Sequence, residues 1–443
     1  MPKSTKYNCL GIRMVSIFGL VLCLASGSGH AAATLTHVGI PYPSSSPYYP
    51  IVLKGENLPG LEGTAIDNIY LYALHEGGLT PIPYQIDRKD KNGLFQFDHD
   101  AGGNKRYVFD KNDECVFMAA DLGQRADSLP NKLSQNAAVE IEIMDPKTGK
   151  RGWVYALVIE QSPPKKSSRH YVSYHRDTDV VESSIYRIGF GKDKPMLITA
   201  FSWMDPETGA YSPNLIDTMK IRHSGNLLGA AFLRTESDYL SKLVDVKVGP
   251  VRVIRRTANK VRILWYLRTP TINIDYIHYG NYFEADTIID VPFPVGWFFS
   301  NLVTTTTIDG NNAAGLPQGT IYGGVRQQGM VVDGIMSEEE KHFNKTERAT
   351  DFVLANKYGT MVVGQAFEKG FPIHSRVYLV DDINALDPPE RIPGQFGNVG
   401  FYMTNWEKMD TSLHHLVVRI FISKEHSVPG SLELLRQAPA FVY

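Results

Sequence analysis

Hydrophobic and polar residues alternate with a period of two along most of this chain, the spacing of strands that bury one face. The runs "AAVEIEIMD" and "GWVYALVIE" flank the turn "DPKTG", Asp145 to Gly149, and together predict a β-hairpin. The same period recurs in "SIYRIGF", "LIDTMKIRH", "LVDVKVGPVRVIRR", "VRILWYLRT", "TINIDYIHY", "RVYLVDD" and "HLVVRIFIS". Helical spacing is nearly missing. Its one candidate is "SEEEKHFNKTERATDFVLAN", around residues 337 to 356, where Ser337 suits an N-cap and acids fill the first turn. The expected class is mainly β.

The stretch "EQSPPKKSSRH", Glu160 to His170, interrupts the strand pattern with prolines, lysines and serines. A division there makes residues 34–162 a small N-terminal β-sandwich and residues 163–443 a larger antiparallel, layered sheet structure. No repeat of fixed period is visible, which argues against a propeller or solenoid.

The first 33 residues read as a signal peptide. Lys3, Lys6 and Arg13 precede an apolar run from Met14 to Ala25, and small residues follow, with Ala31 and Ala33 both suited to cleavage. Val21 and Leu22 before Cys23 do not suit a lipoprotein, and the apolar run is too short for a stable span. Periplasm or secretion is the expected location, with no integral membrane span in the mature chain. Cleavage leaves Cys115 alone of the 3 cysteines, so an internal disulfide is not expected and the core must hold the fold. A formal net charge of -2 argues against nucleic acid as a partner.

The candidate chemistry gathers on four successive strands between Val244 and Val291. In "HYGNYFEADTIIDVPF", Tyr282, Glu284, Asp286 and Asp290 share one parity, and the alternating apolar residues share the other. With them come Arg252, Arg256, Arg262, Tyr266 and Arg268, and, from the third strand, Tyr276 with His278 or Asn273 with Asp275. Such a face can serve as a groove for an acidic sugar: arginines neutralise carboxylates, aromatic rings stack, and a His, Tyr or Glu moves a proton. It can equally be a solvated sheet face on which acids and arginines pair across strands and keep the sheet soluble. The run "DVPFPVGWFFSNL" adds Trp297, with a loop tucked into the core as the ordinary expectation and, if exposed, contact with a ligand, a partner or a membrane surface.

A second cluster, in "YQIDRKDKNGLFQFDHDAGGNKRYVFDKNDECVFMAADLG", includes Asp87, Asp90, Asp110, Asn112 and Glu114. Hard oxygen donors at this density would suit calcium, although the helix-loop-helix calcium spacing does not fit and turns built from Asp, Asn and Gly explain the composition too. No cofactor is required by any motif. The H-E-x-x-H zinc spacing, the G-x-S-x-G nucleophile turn and the phosphate-binding P-loop do not occur. Cys115, in "CVFMAA", reads as a buried small hydrophobe.

The segments "IPYQIDRKDKNGLFQF" and "NDECVFMAADLG" resemble a pattern of exported bacterial proteins. The run "VGPVRVIRR", leading into the Tyr- and Glu-bearing strands, resembles their larger β domain, which is similar to the galactose-mutarotase-like supersandwich. The resemblance implies a carbohydrate-related setting and no particular reaction. A mutarotase-like site would draw on His278 and Glu284; a lyase-like site would draw on Tyr276 or Tyr282 with Arg256 and Arg268. Three functions follow as expectations: elimination or epimerisation on an acidic glycan with His278, Tyr282 and Glu284 as catalytic groups; glycan binding without catalysis through Arg252, Arg256, Arg268, Tyr266, Tyr276 and Trp297; or an accessory role with a protein partner in an envelope assembly.

Overall fold

The computed structural model describes residues 35–41, 49–76, 78–97, 107–128, 137–146, 148–205, 207–315, 318–324, 328–346, 349–367, 370–387 and 393–424. The expected signal peptide, and Asp98 and Asp100 of the acidic cluster, lie outside them. Among the described residues, no helix is long and apolar enough to cross a membrane.

Among the described residues the architecture is mainly β, in five sheets. The predicted hairpin forms from Ala138–Met144 and Arg151–Val158, and Ile69–His75 and Gly78–Pro81 extend its sheet on one side. Leu35–Pro41 adds to the other side in parallel. Against this sheet packs a three-stranded one, in the order Pro50–Lys54, Glu114–Met118, Tyr84–Asp87. Ile51, Leu71, Cys115, Phe117 and Ile141 meet in the core between the two. This is the small sandwich that the N-terminal pattern predicts.

The larger part is built on one long antiparallel sheet. It runs Tyr239–Val248, Val253–Leu264, Ile272–His278, Tyr282–Asp290, Leu413–Ser423, Gly359–Phe367, Asp351–Asn356, Gly319–Gly323, Met330–Val332. Its first four strands cover the stretch that the sequence divides into four, but with other bounds: Arg252 lies just before Val253–Leu264, and that one strand carries both Arg256 and Arg262, with Arg256 facing Asp275 and Asp275 facing Asp286. One face packs on a five-stranded sheet that contains Ile216–Leu227 and Phe299–Gly310, and on a four-stranded sheet spanning Val172 to Trp203. Part of the other face is covered by the first sandwich, where Tyr49, Phe95, Val116 and Met118 meet Ile254, Tyr282 and Phe421.

Two strand and helix expectations change. The helix forms only over Glu338–Thr346, opened by a reciprocal cap in which Ser337 Oγ accepts from the Glu340 N–H and the Glu340 carboxylate accepts from the Ser337 N–H. The second half of that candidate is instead the strand Asp351–Asn356, because "DFVLAN" supplies the alternating apolar residues of a sheet and ladders with Gly359–Phe367. The run "VRILWYLRT" is not one straight strand either. Leu264 faces Leu267, so the chain reverses at Trp265-Tyr266.

Cys115 is buried and free, and burial pushes its thiol up to about 12. A maleimide should therefore leave Cys115 unmodified in the folded chain and label it fully once denaturant unfolds the first sandwich. Peptide mass spectrometry of the two samples checks this.

Candidate functional site

The residues singled out by sequence fall in three places. The first lies between the small sandwich and the long sheet. Arg252, 2% exposed, donates from Nε to Asp87 at 2.7 Å, from Nη2 to Glu114 at 2.6 Å and from Nη1 to the Tyr279 hydroxyl at 2.9 Å. Lys247 reaches the other Asp87 oxygen at 2.8 Å, and Lys89 reaches Glu114 at 2.6 Å. Gln85 completes the cluster: its amide nitrogen donates to Asp87 at 2.7 Å, and its oxygen accepts from the Arg252 N–H at 2.9 Å. Burial alone would raise both carboxyls, but Arg252 and Lys247 hold Asp87, and Lys89 and Arg252 hold Glu114, below the ordinary range.

Beside this cluster the acid row of "YFEAD" is paired within the protein. Arg256 clasps Asp275 through two bonds of 2.6 Å and donates to the Phe95 carbonyl at 3.1 Å. Glu284 accepts from Arg419 at 3.1 Å and from the Tyr282 hydroxyl, and Asp286 lies 2.9 Å from His415 Nδ1. The Tyr282 ring stacks on Phe421 at 4.3 Å, and Tyr49 of the small sandwich meets Phe421 edge-on. Burial raises the Glu284 carboxyl against the pull of Arg419 and Tyr282, and raises the Tyr282 hydroxyl. The charges pair across strands, as one sequence reading expects, yet the face is covered and not solvated.

The second place is the opposite face of the same sheet. His278 faces Phe283 across the strands while its neighbour Ile277 faces Glu284, so His278 and Glu284 project from opposite sides. The structure does not bring this nominated pair together. His278 sits among Tyr186, Phe190, Tyr276 and Phe283, and Tyr276 donates its hydroxyl to the Met196 carbonyl at 2.5 Å. Burial, with Arg255 close by, lowers His278 to about 3.

The third place is an exposed end of the long sheet. Trp265 is 86% exposed and Tyr266 is 99% exposed at the reversal between Val253–Leu264 and Leu267–Arg268. Trp265 adopts φ 36°, in the left-handed region that side-chain-bearing residues seldom occupy. Arg234 braces the turn by donating to the Arg262 carbonyl at 2.7 Å and to the Ile263 carbonyl. Arg262 pairs with Asp238, and exposed Arg268 donates to the Asp238 carbonyl at 3.3 Å. Burial would raise Asp238, but the Thr235 N–H and Arg262 hold it below its ordinary value. Trp297 also stands out, at 70% exposure, on a loop whose Phe298 carbonyl accepts from the Leu228 N–H at 2.8 Å. The loop is thus not tucked into the core, because Phe293 and Phe298 pack on each other and leave Trp297 outside.

The calcium candidates do not converge. The Asp87 and Glu114 carboxylates are taken up by cations, while Asp90 accepts from the Asn92 and Leu94 N–H groups and Asp110 from the Asn112 N–H. Among the described residues, no three His, Cys, Asp or Glu side chains form a group that could hold a metal ion.

Trp265 escaped the sequence reading. Its parity places it with Val261 and Ile263, on the face the sequence reads as apolar, and "LWYL" carries none of the Gly, Asn or Asp that announce a two-residue turn.

No protein-family model matches the sequence, and no curated protein does. Among solved structures, the chain is similar to an α-mannosidase from Enterococcus faecalis V583, with TM-score 0.43 and 8% identity over 88% of this chain and 43% of that one. It is also similar to a glycosyl hydrolase family 38 protein from Enterococcus faecalis, with TM-score 0.45 and 8% identity over 90% of this chain and 46% of that one. The chain spans less than half the length of either.

Two predictions follow from the buried groups. Arg252→Ala leaves Asp87 and Glu114 buried without their shared cation and should cost roughly 3–5 kcal/mol in urea unfolding at neutral pH. Because both acids titrate below their ordinary values near about 4, the unfolded chain binds protons first as pH falls through that range. The penalty of Arg252→Ala should therefore shrink towards low pH.

His278 works on a different window. Neutral in the folded chain down to about 3, it is protonated in the unfolded chain below its ordinary 6.5, so it subtracts stability as pH falls between those values. His278→Phe should flatten the loss of stability across that window, leaving a smaller slope from His223, which burial lowers to about 4. Unfolding midpoints measured from pH 7 to pH 4 check the difference.

Proposed function

We propose that this chain binds an acidic glycan without turning it over, and that the exposed end of the long sheet is where it does so. The observation that carries the reading is the Trp265-Tyr266 turn. A left-handed conformation costs a residue such as Trp about 1–2 kcal/mol, and Asn-Gly would form the turn without that cost. Two rings left in solvent forgo a further 1.5–3 kcal/mol each, roughly, that burial would return. Folding gains nothing from this arrangement, whereas a ligand does: flat rings meet the C–H faces of sugars, and Arg268 and Arg262 beside them answer carboxylates. The Thr235 N–H and Arg262 hold Asp238 below its ordinary value, so it is poorly suited to donate a proton there. Residues 1–33 support placing this activity outside the cytoplasm, in the periplasm or beyond.

A second reading is elimination or epimerisation of an acidic glycan by Tyr282 and Glu284. It has one observation in its favour, a buried carboxyl raised beside a tyrosine hydroxyl. It requires the small sandwich to move off the long sheet, and His278 would take no part from the opposite face.

Calorimetric titration with uronate-containing and neutral oligosaccharides of equal length separates the readings. Binding restricted to the uronates, with no unsaturated or epimerised product and a loss of about threefold to tenfold in Trp265→Ala or Tyr266→Ala, is the expected result. Product formation that disappears in Tyr282→Phe would favour the second reading, and absence of binding to any oligosaccharide would sink both. The paired change Trp265→Asn with Tyr266→Gly should weaken uronate binding and raise the thermal midpoint, because it relieves the turn.

A further inference from the structure

Between the long sheet and the five-stranded sheet lies a cavity of about 670 Å³. Close-packed interiors leave few voids larger than a water molecule, so a space of this size is unusual for a sheet-to-sheet core. It falls within the roughly 300–1,000 Å³ range of small-molecule sites. Its wall is apolar and adaptable, with Trp203, Met219, Phe352, Met361 and Phe401 among the residues facing it. Among the described residues that line it, Lys357 is the one that carries a charge. Lys357 is exposed, at the turn between Asp351–Asn356 and Gly359–Phe367, which places it at the mouth. Its ammonium lies 5.0 Å from the centre of the Tyr358 ring, another lining group. Inside, the Trp203 indole N–H has no hydrogen-bond partner among the described residues although Trp203 is buried.

We propose that this space is a binding site for a straight-chain fatty acid, with the tail between the sheets and the carboxylate at Lys357. Facing sheets stand about 10 Å apart, a slot that admits an extended chain one or two methylenes thick. The wall is mostly apolar, its polar groups are few (Thr306, Thr307, Gln318, Thr320, Asn356 and the Trp203 N–H among them), and among the described residues it carries no guanidinium to answer a uronate, so it suits an alkyl chain better than the glycan of the exposed end. The two sites also share no residue: none of Trp265, Tyr266, Arg262, Arg268 and Asp238 lines the cavity. The inference therefore stands or falls separately from the glycan reading.

Calorimetric titration of the purified chain with octanoate, decanoate, dodecanoate and decanol, each below its micelle concentration, tests it. The expected result is one fatty acid per chain, with affinity rising about fourfold per added methylene until the tail fills the space. Lys357→Glu should weaken decanoate roughly fivefold and leave decanol within about twofold. Ala355→Trp, at a lining residue beside the mouth, should abolish binding of both without changing the thermal midpoint. No saturable binding, affinity independent of chain length, or unchanged binding in Ala355→Trp would overturn the site. Equal weakening of acid and alcohol by Lys357→Glu would overturn the placement of the head. If Ala355→Trp fails to fold, the chain-length series and Lys357→Glu still decide.

Discussion

Arg252 is a guanidinium taken almost wholly out of solvent, and the relation between the two halves of the molecule depends on its being matched there. Both of its carboxylate partners come from the small sandwich, and Gln85 of the same sandwich accepts from its backbone N–H. Removing two acids and a guanidinium from water is expensive, and the arrangement is tolerable because nearly every donor has an acceptor at hydrogen-bonding distance. Such a cluster adds little net stability over an apolar contact of the same size. What it adds is selectivity of docking, since a shift of the sandwich by one strand position would leave buried charges without partners.

The same docking explains what became of the acids in "YFEAD". Tyr282, Glu284 and Asp286 form a continuous polar row in the sequence because they share a face, and that face lies beneath a neighbouring sheet. Each acid then takes its own base from an adjoining strand, Arg419 for Glu284 and His415 for Asp286, both from Leu413–Ser423. These partners lie more than a hundred residues away along the chain, so local spacing gives no hint of them.

Much of the architecture was legible in the pattern of the chain. The hairpin around Asp145 to Gly149 and the β class follow from period-two alternation, which is a local signal, whereas the strand bounds between Val244 and Val291 do not, since alternation runs unbroken through Arg256 and Arg262 of one strand. Alternation also separates the two faces of a strand, and applied strictly it would have set His278 apart from Glu284. It says nothing of what covers each face. The strand Glu114–Met118 shows why: all five of its residues are buried, so alternation is lost where it would be most informative. The exposed end was half legible. Tyr266, Arg268 and Trp297 were nominated, while Trp265 was hidden by a turn that uses none of the usual turn residues.

Glu114–Met118 has a consequence for how the molecule comes apart. Cys115 and Phe117 point into the core of the small sandwich, and Val116 and Met118 point into the contact with the long sheet. One strand thus serves two interiors at once. Loss of either interior strips half the cover from this strand, so melting of one half propagates into the other. The two sandwiches follow one another in sequence but share this strand, so they should unfold together. Cutting it at the Pro-rich stretch after Glu160 would yield two fragments, each with a raw apolar face and a strong tendency to find the other again.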